Sequence, residues 1–399
     1  MVAAGGRGSR VSAAEEAAFL YRANEDAEVG NRSSRPLLCF ATQGADHLDA
    51  ARLRYLLAPL DAREFAFDHD RKLSSAIALA KTALQLRPRL IVMEGTGLAG
   101  GLTLLLLRAL VGVPYVVSSG DAVGPFLRLH SRLAGALGAV YERVLCRRCA
   151  GYIGWTPYLV GRALTFGAPR AVTAPGWSRD APSSGARERV RAQLGVGERD
   201  LLVGLVGSLD WSERVGYAYG LELVRAAASV TRPGVSVCIV GDGSGRARLE
   251  EEFVRASAGA RVQFTGRVDP AEVADYLAAF DIASLPQSVD GVGAFRYSTK
   301  LSEYLAAGLP VITGEIPMAY DLDEGFFWRL PGEAPWSRVY VDSLARLMQG
   351  VSRREVDERR HAVEARVGRP FDGPSQQQRV SAFIADVLAR ADAGTRPSG

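Results

Sequence analysis

The sequence predicts an α/β protein with two Rossmann-like, doubly wound parallel sheets, and three observations predict it. Short apolar runs of strand character alternate with helical stretches, a polar segment interrupts them near the middle, and the alternation then restarts. Strands and helices in alternation give a parallel sheet with helices on both faces. The bulk composition agrees, since 399 residues with 48% hydrophobic and 23% charged side chains describe an ordinary globular chain of two or three domains.

Residues 1–35, rich in Gly, Ala, Ser and Arg, read as a flexible tail with one short helix around Ala13–Arg22. Residues 36–178 hold the first alternation, with strands at Leu37–Ala41, Glu64–Phe67, Leu90–Met93, Pro114–Val117 and Gly151–Ile153. Periodic apolar segments at Leu48–Leu60 and Leu73–Leu86 supply helices between them. Residues 179–200, with Pro182, Ser183, Ser184 and Gly185, form a linker and a short helix. Residues 201–370 restart the pattern with strands at Leu201–Val206, Val235–Val240, Arg261–Phe264, Asp281–Leu285 and Pro310–Thr313. The segment 371–399 is a helix and tail, with an apolar stripe through Val380, Phe383, Ile384 and Val387. Two halves of this kind are expected to enclose a ligand cleft.

Several classes are excluded at this level. A net charge of +4 is too mild for a nucleic-acid binder. Cys39 and Cys238 lie in apolar runs and read as small core residues. Cys146 and Cys149 have metal spacing, but no second ligand pair completes a zinc site, so no metal is expected. Acids at Glu15 and Glu16 argue against a secretory leader, and Leu98–Val113 carries Arg108 and is shorter than the roughly 20 residues a spanning helix needs. The expected location is the cytoplasm, with a peripheral seat at the inner membrane face as an addition. Of the 48 basic side chains only Lys72, Lys81 and Lys300 are lysines, which singles out any lysine in a motif.

In a doubly wound sheet the ligand lies beyond the carboxyl ends of the strands. In the second half the first such loop contains Gly207, Ser208 and Arg214, and a guanidinium there, at an expected helix start, suits a diphosphate. A surface arginine in a short loop is the plain alternative. The next loop offers Gly241, Gly243 and Gly245, which permit tight turning and backbone approach. The most informative segment is Arg296–Glu315. There Ser298 or Thr299 caps a helix, Gly308 ends it, and Lys300 and Glu303 share its first turn. A carboxylate so placed can accept two ribose hydroxyls while the cation and helix amides face phosphate; an exposed Lys–Glu pair is the alternative.

The run from Lys300 through Glu303 and Gly308 to Pro310 resembles the hallmark of the GT-B glycosyltransferases of the "glycosyl transferases group 1" family. Gly207–Gly216, Val240–Gly243 and Phe264–Val268 resemble the family's successive ligand loops in order and spacing. The resemblance implies two facing Rossmann-like domains, a C-terminal helix crossing back to the first, and transfer of a sugar from a nucleotide diphosphate to an acceptor hydroxyl with retention. It implies that Arg214, Lys300 and Glu303 act on the donor, together with Gly207, Ser208, Gly241, Gly243, Arg267, Val268, Ser298 and Thr299. No cofactor is implied beyond a UDP- or GDP-type sugar as substrate. The sequence departs from the pattern at Phe295, eight positions before Glu303, where many members have a glutamate; the nearest upstream acid is Asp290. Ser208 replaces the usual basic residue. Backbone amides of Gly291–Tyr297 could serve the donor sugar instead.

The resemblance places acceptor recognition, of a glycan, lipid-linked or small-molecule acceptor, in the first half. The candidates there are Gly44, His47, Gly97 and Asp121, with a capping or surface role as the alternative for His47 and Asp121. Treated as one helix, Leu127–Arg148 sets Arg128, Arg132, Arg143 and Arg147 beside a sector with Leu133, Leu137, Val140, Tyr141 and Val144. Either a solvated face adjoins a core face, or a basic surface meets anionic lipid. A nucleotide-sugar epimerase, a phosphorylase and a silent partner subunit are the competing readings of the whole chain.

Overall fold

The computed structural model describes residues 35–177, 181–256, 259–296, 298–364 and 371–393. Residues 1–34 of the tail expected at 1–35, with its helix, and the family-loop residue Tyr297 lie outside the described residues.

The first alternation runs β1 (Leu37–Ala41), α1 (Leu48–Leu57), β2 (Arg63–Glu64), α2 (Lys72–Leu86), β3 (Leu90–Glu94), α3 (Leu98–Val111) and β4 (Tyr115–Ser119). It continues through α4 (Val123–Arg128), α5 (Arg132–Arg148), β5 (Gly151–Gly154), α6 (Pro157–Thr165) and β6 (Ala171–Thr173). The linker helix is α7 (Ala186–Gln193). The second alternation is β7 (Leu201–Val206), α8 (Leu221–Ala227), β8 (Val235–Val240), α9 (Arg246–Ala256), β9 (Arg261–Gly266), α10 (Val273–Ala279), β10 (Ile282–Leu285), α11 (Thr299–Ala306), β11 (Val311–Gly314), α12 (Pro317–Asp321) and β12 (Phe327–Leu330). Three helices close the chain: α13 (Arg338–Gly350), α14 (Arg353–Glu364) and α15 (Gly373–Ala393).

Two six-stranded sheets result, ordered β2-β1-β3-β4-β5-β6 and β12-β11-β10-β7-β8-β9. Every pairing in the second sheet is parallel. Each order reverses direction once, between β1 and β3 in the first sheet and between β7 and β10 in the second, and such a switch point is where a doubly wound sheet opens a crevice. Successive strand residues of the second sheet feed opposite cores: Val203, Leu205, Val237 and Ile239 on one face, Leu202, Cys238, Val240 and Leu285 on the other. This is why its strands read as unbroken apolar runs.

By contacts the described residues divide into two compact units, one of residues up to Val117 with Arg148–Gly151 and the chain from Ile384, the other of Ser118–Arg147 and Tyr152–Phe383. The end of α15 therefore groups with the N-terminal unit. Buried Asp281 ties the linker helix into the second unit: it accepts hydrogen bonds from Arg187 at 2.6 Å, Arg191 at 3.1 Å and the Leu202 amide at 2.8 Å, and it forms an ion pair with Arg353 at 2.8 Å.

The sequence reading needs three corrections. Glu64–Phe67 pairs only at its first position, and β6 and β12 escaped notice; all three are edge strands, held by a neighbour rather than by a long pattern of their own. Leu127–Arg148 is not one helix: α4 stops at Arg128 and α5 starts at Arg132. Gly135 and Gly138 do not break α5 but let α4 lie against it, since a Cβ would meet Arg128 Cβ at 2.6 Å and Leu127 Cδ1 at 2.7 Å respectively. Finally, the apolar sector of α5 is not core: Leu133, Leu137, Val140 and Val144 are exposed, and Gly135, Gly138, Glu142, Leu145 and Cys146 are buried.

Candidate functional site

The loops after β7, β8 and β9 meet in the second unit. Gly241 has φ +138°, and a Cβ there would stand 1.9 Å from the Gly207 carbonyl oxygen; at Gly243 and Gly245 it would stand 2.6 Å from the Leu209 backbone. Glycine is needed at these positions because two loops stack backbone on backbone. The Leu209 amide donates to Asp242, the Gly245 amide to Leu209, and the Trp211 amide to the Ser244 hydroxyl at 3.0 Å. The stacked loops border a cavity of about 620 Å³ lined by Gly207, Ser208, Gly241, Asp242, Gly243, Arg267 and Val268, with Val206, Val240 and Val273 at its apolar wall. Six residues predicted for the donor thus line one cavity. Asp242 and the three valines were not singled out, although the strand-end pattern contained them.

Among the described residues Arg267 is exposed and has no carboxylate partner, so its charge is available to the cavity. Ser208 spends its hydroxyl on Asp210.

The helix α11 reaches the same place from the switch point. Lys300 lies over Gly207, where a Cβ would meet its Cε at 2.4 Å and its Nζ at 2.7 Å. The ammonium stands 4.5 Å from the centre of the Tyr219 ring, a cation–π contact suited to a partly desolvated charge. Burial pulls the Lys300 pKa down to about 8; Glu303 acts to raise it and Arg296 to lower it. Lys300 and Glu303, both partly buried, are therefore not an exposed surface pair. The next residue, Tyr304, is buried and accepts the Val206 amide at 3.2 Å, which fixes α11 against β7. Neither Tyr219 nor Tyr304 was singled out; the position of Tyr304 beside Glu303 was the available signal. Ser298 occupies the N-cap position, but its side chain makes no capping bond, and Thr299 is the first helical residue. The expected cap is absent, and the first amides of α11 are left without that side-chain acceptor.

Arg214 differs from expectation. It sits exposed in a turn closed by pairing of Ser212 with Tyr217, and α8 starts only at Leu221. It is not at a helix N-terminus.

The Gly291–Tyr297 stretch also differs. Asp290 accepts from the Val292 and Gly293 amides at 2.8 Å each, and the amides of Ala294, Phe295 and Arg296 bond within the loop. Those five donors are spent. Phe295 is held by its carbonyl, which accepts from Thr156 at 3.2 Å, and by its ring, 5.3 Å from the Arg162 guanidinium.

The first-half candidates mostly hold structure. His47 is the N-cap of α1 and accepts the Asp49 amide at 3.2 Å. Gly44 has φ +108° in the turn after β1. Gly97 packs on Thr42, with its Cβ position 3.0 Å from Thr42 Cβ. Asp121 pairs with Arg296 at 3.4 Å, both about half exposed. All four cysteines are buried and outside any disulfide, and burial raises the Cys39, Cys149 and Cys238 thiols to about 12. Among the described residues no group of His, Cys, Asp and Glu could hold a metal ion, and no helix is long and apolar enough to cross a membrane.

Two doubly wound sheets, with a cavity at the strand ends of the second and a Lys-x-x-Glu helix entering it from the switch point, make this a GT-B-type fold. Residues 200–329 match the family model Glycosyl transferases group 1. Among characterised relatives it is similar to 2-deoxystreptamine N-acetyl-D-glucosaminyltransferase of Streptomyces fradiae, 28% identical over 254 residues. That match spans 58% of this chain and 58% of the relative, so the chain matches little more than half its length. Among solved structures it is similar to Anabaena HepE in complex with UDP (TM-score 0.67, 17% identity, 88% of this chain and 100% of that one). It is also similar to sucrose-phosphate synthase of Thermosynechococcus elongatus (TM-score 0.67, 15% identity, 89% and 100%). At these identities the structural likeness shows the fold.

Proposed function

We propose that the protein transfers a sugar from a nucleotide diphosphate to an acceptor hydroxyl, with retention of configuration. The observation that carries this reading is the seating of Lys300 on Gly207, which brings the α11 motif to the cavity of the stacked glycine loops inside the family-matched segment. In this reading Glu303 accepts the ribose hydroxyls, and Lys300, Arg267 and the first amides of α11 hold the diphosphate, with Arg214 reaching it from its exposed turn. The bond from the anomeric carbon to the diphosphate breaks, the acceptor oxygen takes its place, and the hydroxyl proton leaves with the released nucleotide. Preorganised positive charge on the departing diphosphate is the main contribution expected of the protein. No metal or cofactor is assigned to the reaction.

The bound UDP of the Anabaena structure and the name of the Streptomyces relative favour UDP-N-acetylglucosamine as donor and an aminocyclitol as a first acceptor to try. Gly44, His47, Gly97 and Asp121 remain the proposed acceptor side, and the cytoplasm the proposed location. The test is incubation with labelled UDP-N-acetylglucosamine, with and without acceptor. Glycosylated acceptor or slow release of free sugar supports the reading. An epimeric nucleotide sugar would make the protein an epimerase, and absence of both turnover and UDP binding would make it a silent partner.

A further inference from the structure

We propose that α4 and α5 dock the protein on an anionic lipid surface. At about 100° per residue, Leu133, Leu137, Val140 and Val144 stand opposite the buried face of α5 formed by Gly135, Gly138, Glu142, Leu145 and Cys146. They are exposed at 70%, 63%, 62% and 42%, and Phe126 and Leu129 extend the strip past the turn at 43% and 36%. Arg132, Arg143 and Arg147 run along one flank of this strip and Arg148 along the other, with Arg128 and His130 at the turn, all of them exposed. Between Val123 and Arg148 the one carboxylate is Glu142. It is buried and held by Arg162 at 2.8 Å and the Gly124 amide at 3.1 Å, so it neutralises nothing outside. An apolar strip edged by cations and free of anions matches an interface of acyl chains and anionic headgroups. Charge is what selects this occupant. A second exposed strip, Leu98, Leu102, Leu106 and Leu110 on α3, has one nearby cation in its helix, Arg108, which caps the Gly112 carbonyl, and so points to no partner.

The test is co-sedimentation of the full chain with mixed phosphatidylglycerol–phosphatidylcholine vesicles and with pure phosphatidylcholine vesicles. Binding is expected to the mixed vesicles, weakening as salt is added. Leu137→Ser with Val140→Ser, and separately Arg132→Glu with Arg147→Glu, should each lower it about tenfold or more, with thermal unfolding monitored to show the fold intact. The charge pair serves if the leucine–valine pair does not fold. Equal binding to both vesicle types, or parent-like binding by folded variants, overturns the proposal. So does a dimer, detected by light scattering, that Leu137→Ser dissociates, because the strip would then belong to a second copy of the chain.

Discussion

The loops at the carboxyl ends of the two sheets look alike in sequence and differ in what their polar groups have left to do. In the first sheet, the loops after β1 and β3 are occupied by their own architecture: His47 caps α1, Thr42 packs under Gly97, and Glu94 is buried on Arg52 at 2.6 Å. In the second, the glycines are equally occupied by packing, yet they leave Arg267 on the wall of a cavity and Lys300 seated on Gly207 beside it. A glycine-rich turn is therefore poor evidence of a ligand by itself. The cations that the packing leaves over are better evidence.

The sharpest way to break this contrast is to measure UDP affinity in variants of both regions by calorimetry. Glu303→Ala should weaken UDP binding by about a hundredfold, as expected for loss of charged hydrogen bonds worth roughly 1.5–3 kcal/mol each. His47→Ala should leave it unchanged. Unchanged UDP affinity in Glu303→Ala would remove the ribose role of that residue and with it the asymmetry between the regions.

A step smaller is the contrast between Gly207→Ala and Gly97→Ala. At Gly207 the added methyl meets the flexible end of Lys300, so about tenfold weaker UDP binding is expected with little change in unfolding temperature. At Gly97 it presses on the Thr42 side chain, so about 1–2 kcal/mol of stability should be lost with no loss of nucleotide affinity beyond it. The same lysine sets a pH dependence. Its pKa of about 8 in the free protein means that raising the pH from 7 to 9 removes the ammonium that a diphosphate would select. UDP affinity should fall about tenfold over that interval, by linkage between proton and anion binding. In Lys300→Met this slope should vanish, and a slope that persists would assign the titration elsewhere.

What the sequence made legible follows the same division. Alternation was enough for both sheets, because a strand buried on two faces must be apolar throughout. Edge strands β2, β6 and β12, of two to four residues, were mistaken or missed, whereas β9, an edge strand of six residues, was legible, so it is an edge strand's shortness that leaves little pattern. The Lys300–Glu303 segment was legible because its spacing and the rarity of lysine coincide. The face of α5 was not legible. Its core side combines Leu145 and Cys146 with Gly135 and Gly138, which pack by being small, while Leu133 and Leu137 point outward, so a rule equating apolar with buried selects the wrong side. Arg214 was misplaced for a related reason: the bridge of Ser212 to Tyr217 delays α8, and no local signal announces a turn made by tertiary packing.

His47→Ala should cost about 1 kcal/mol of stability through loss of the cap, read as a lower unfolding midpoint. Asp121→Asn should cost less. Its partner Arg296 is about half exposed, and solvent-exposed ion pairs contribute about 0.2–1 kcal/mol and are screened by salt. In moderate salt the variant should unfold with the parent. That makes Asp121 the most discriminating residue of the first-half set. If Asp121→Asn keeps its stability and its UDP affinity but loses transfer to an acceptor, its carboxylate is free to orient a hydroxyl, and the proposed acceptor side gains a working member. If transfer also persists, Asp121 belongs with His47 among the side chains whose local contacts account for them.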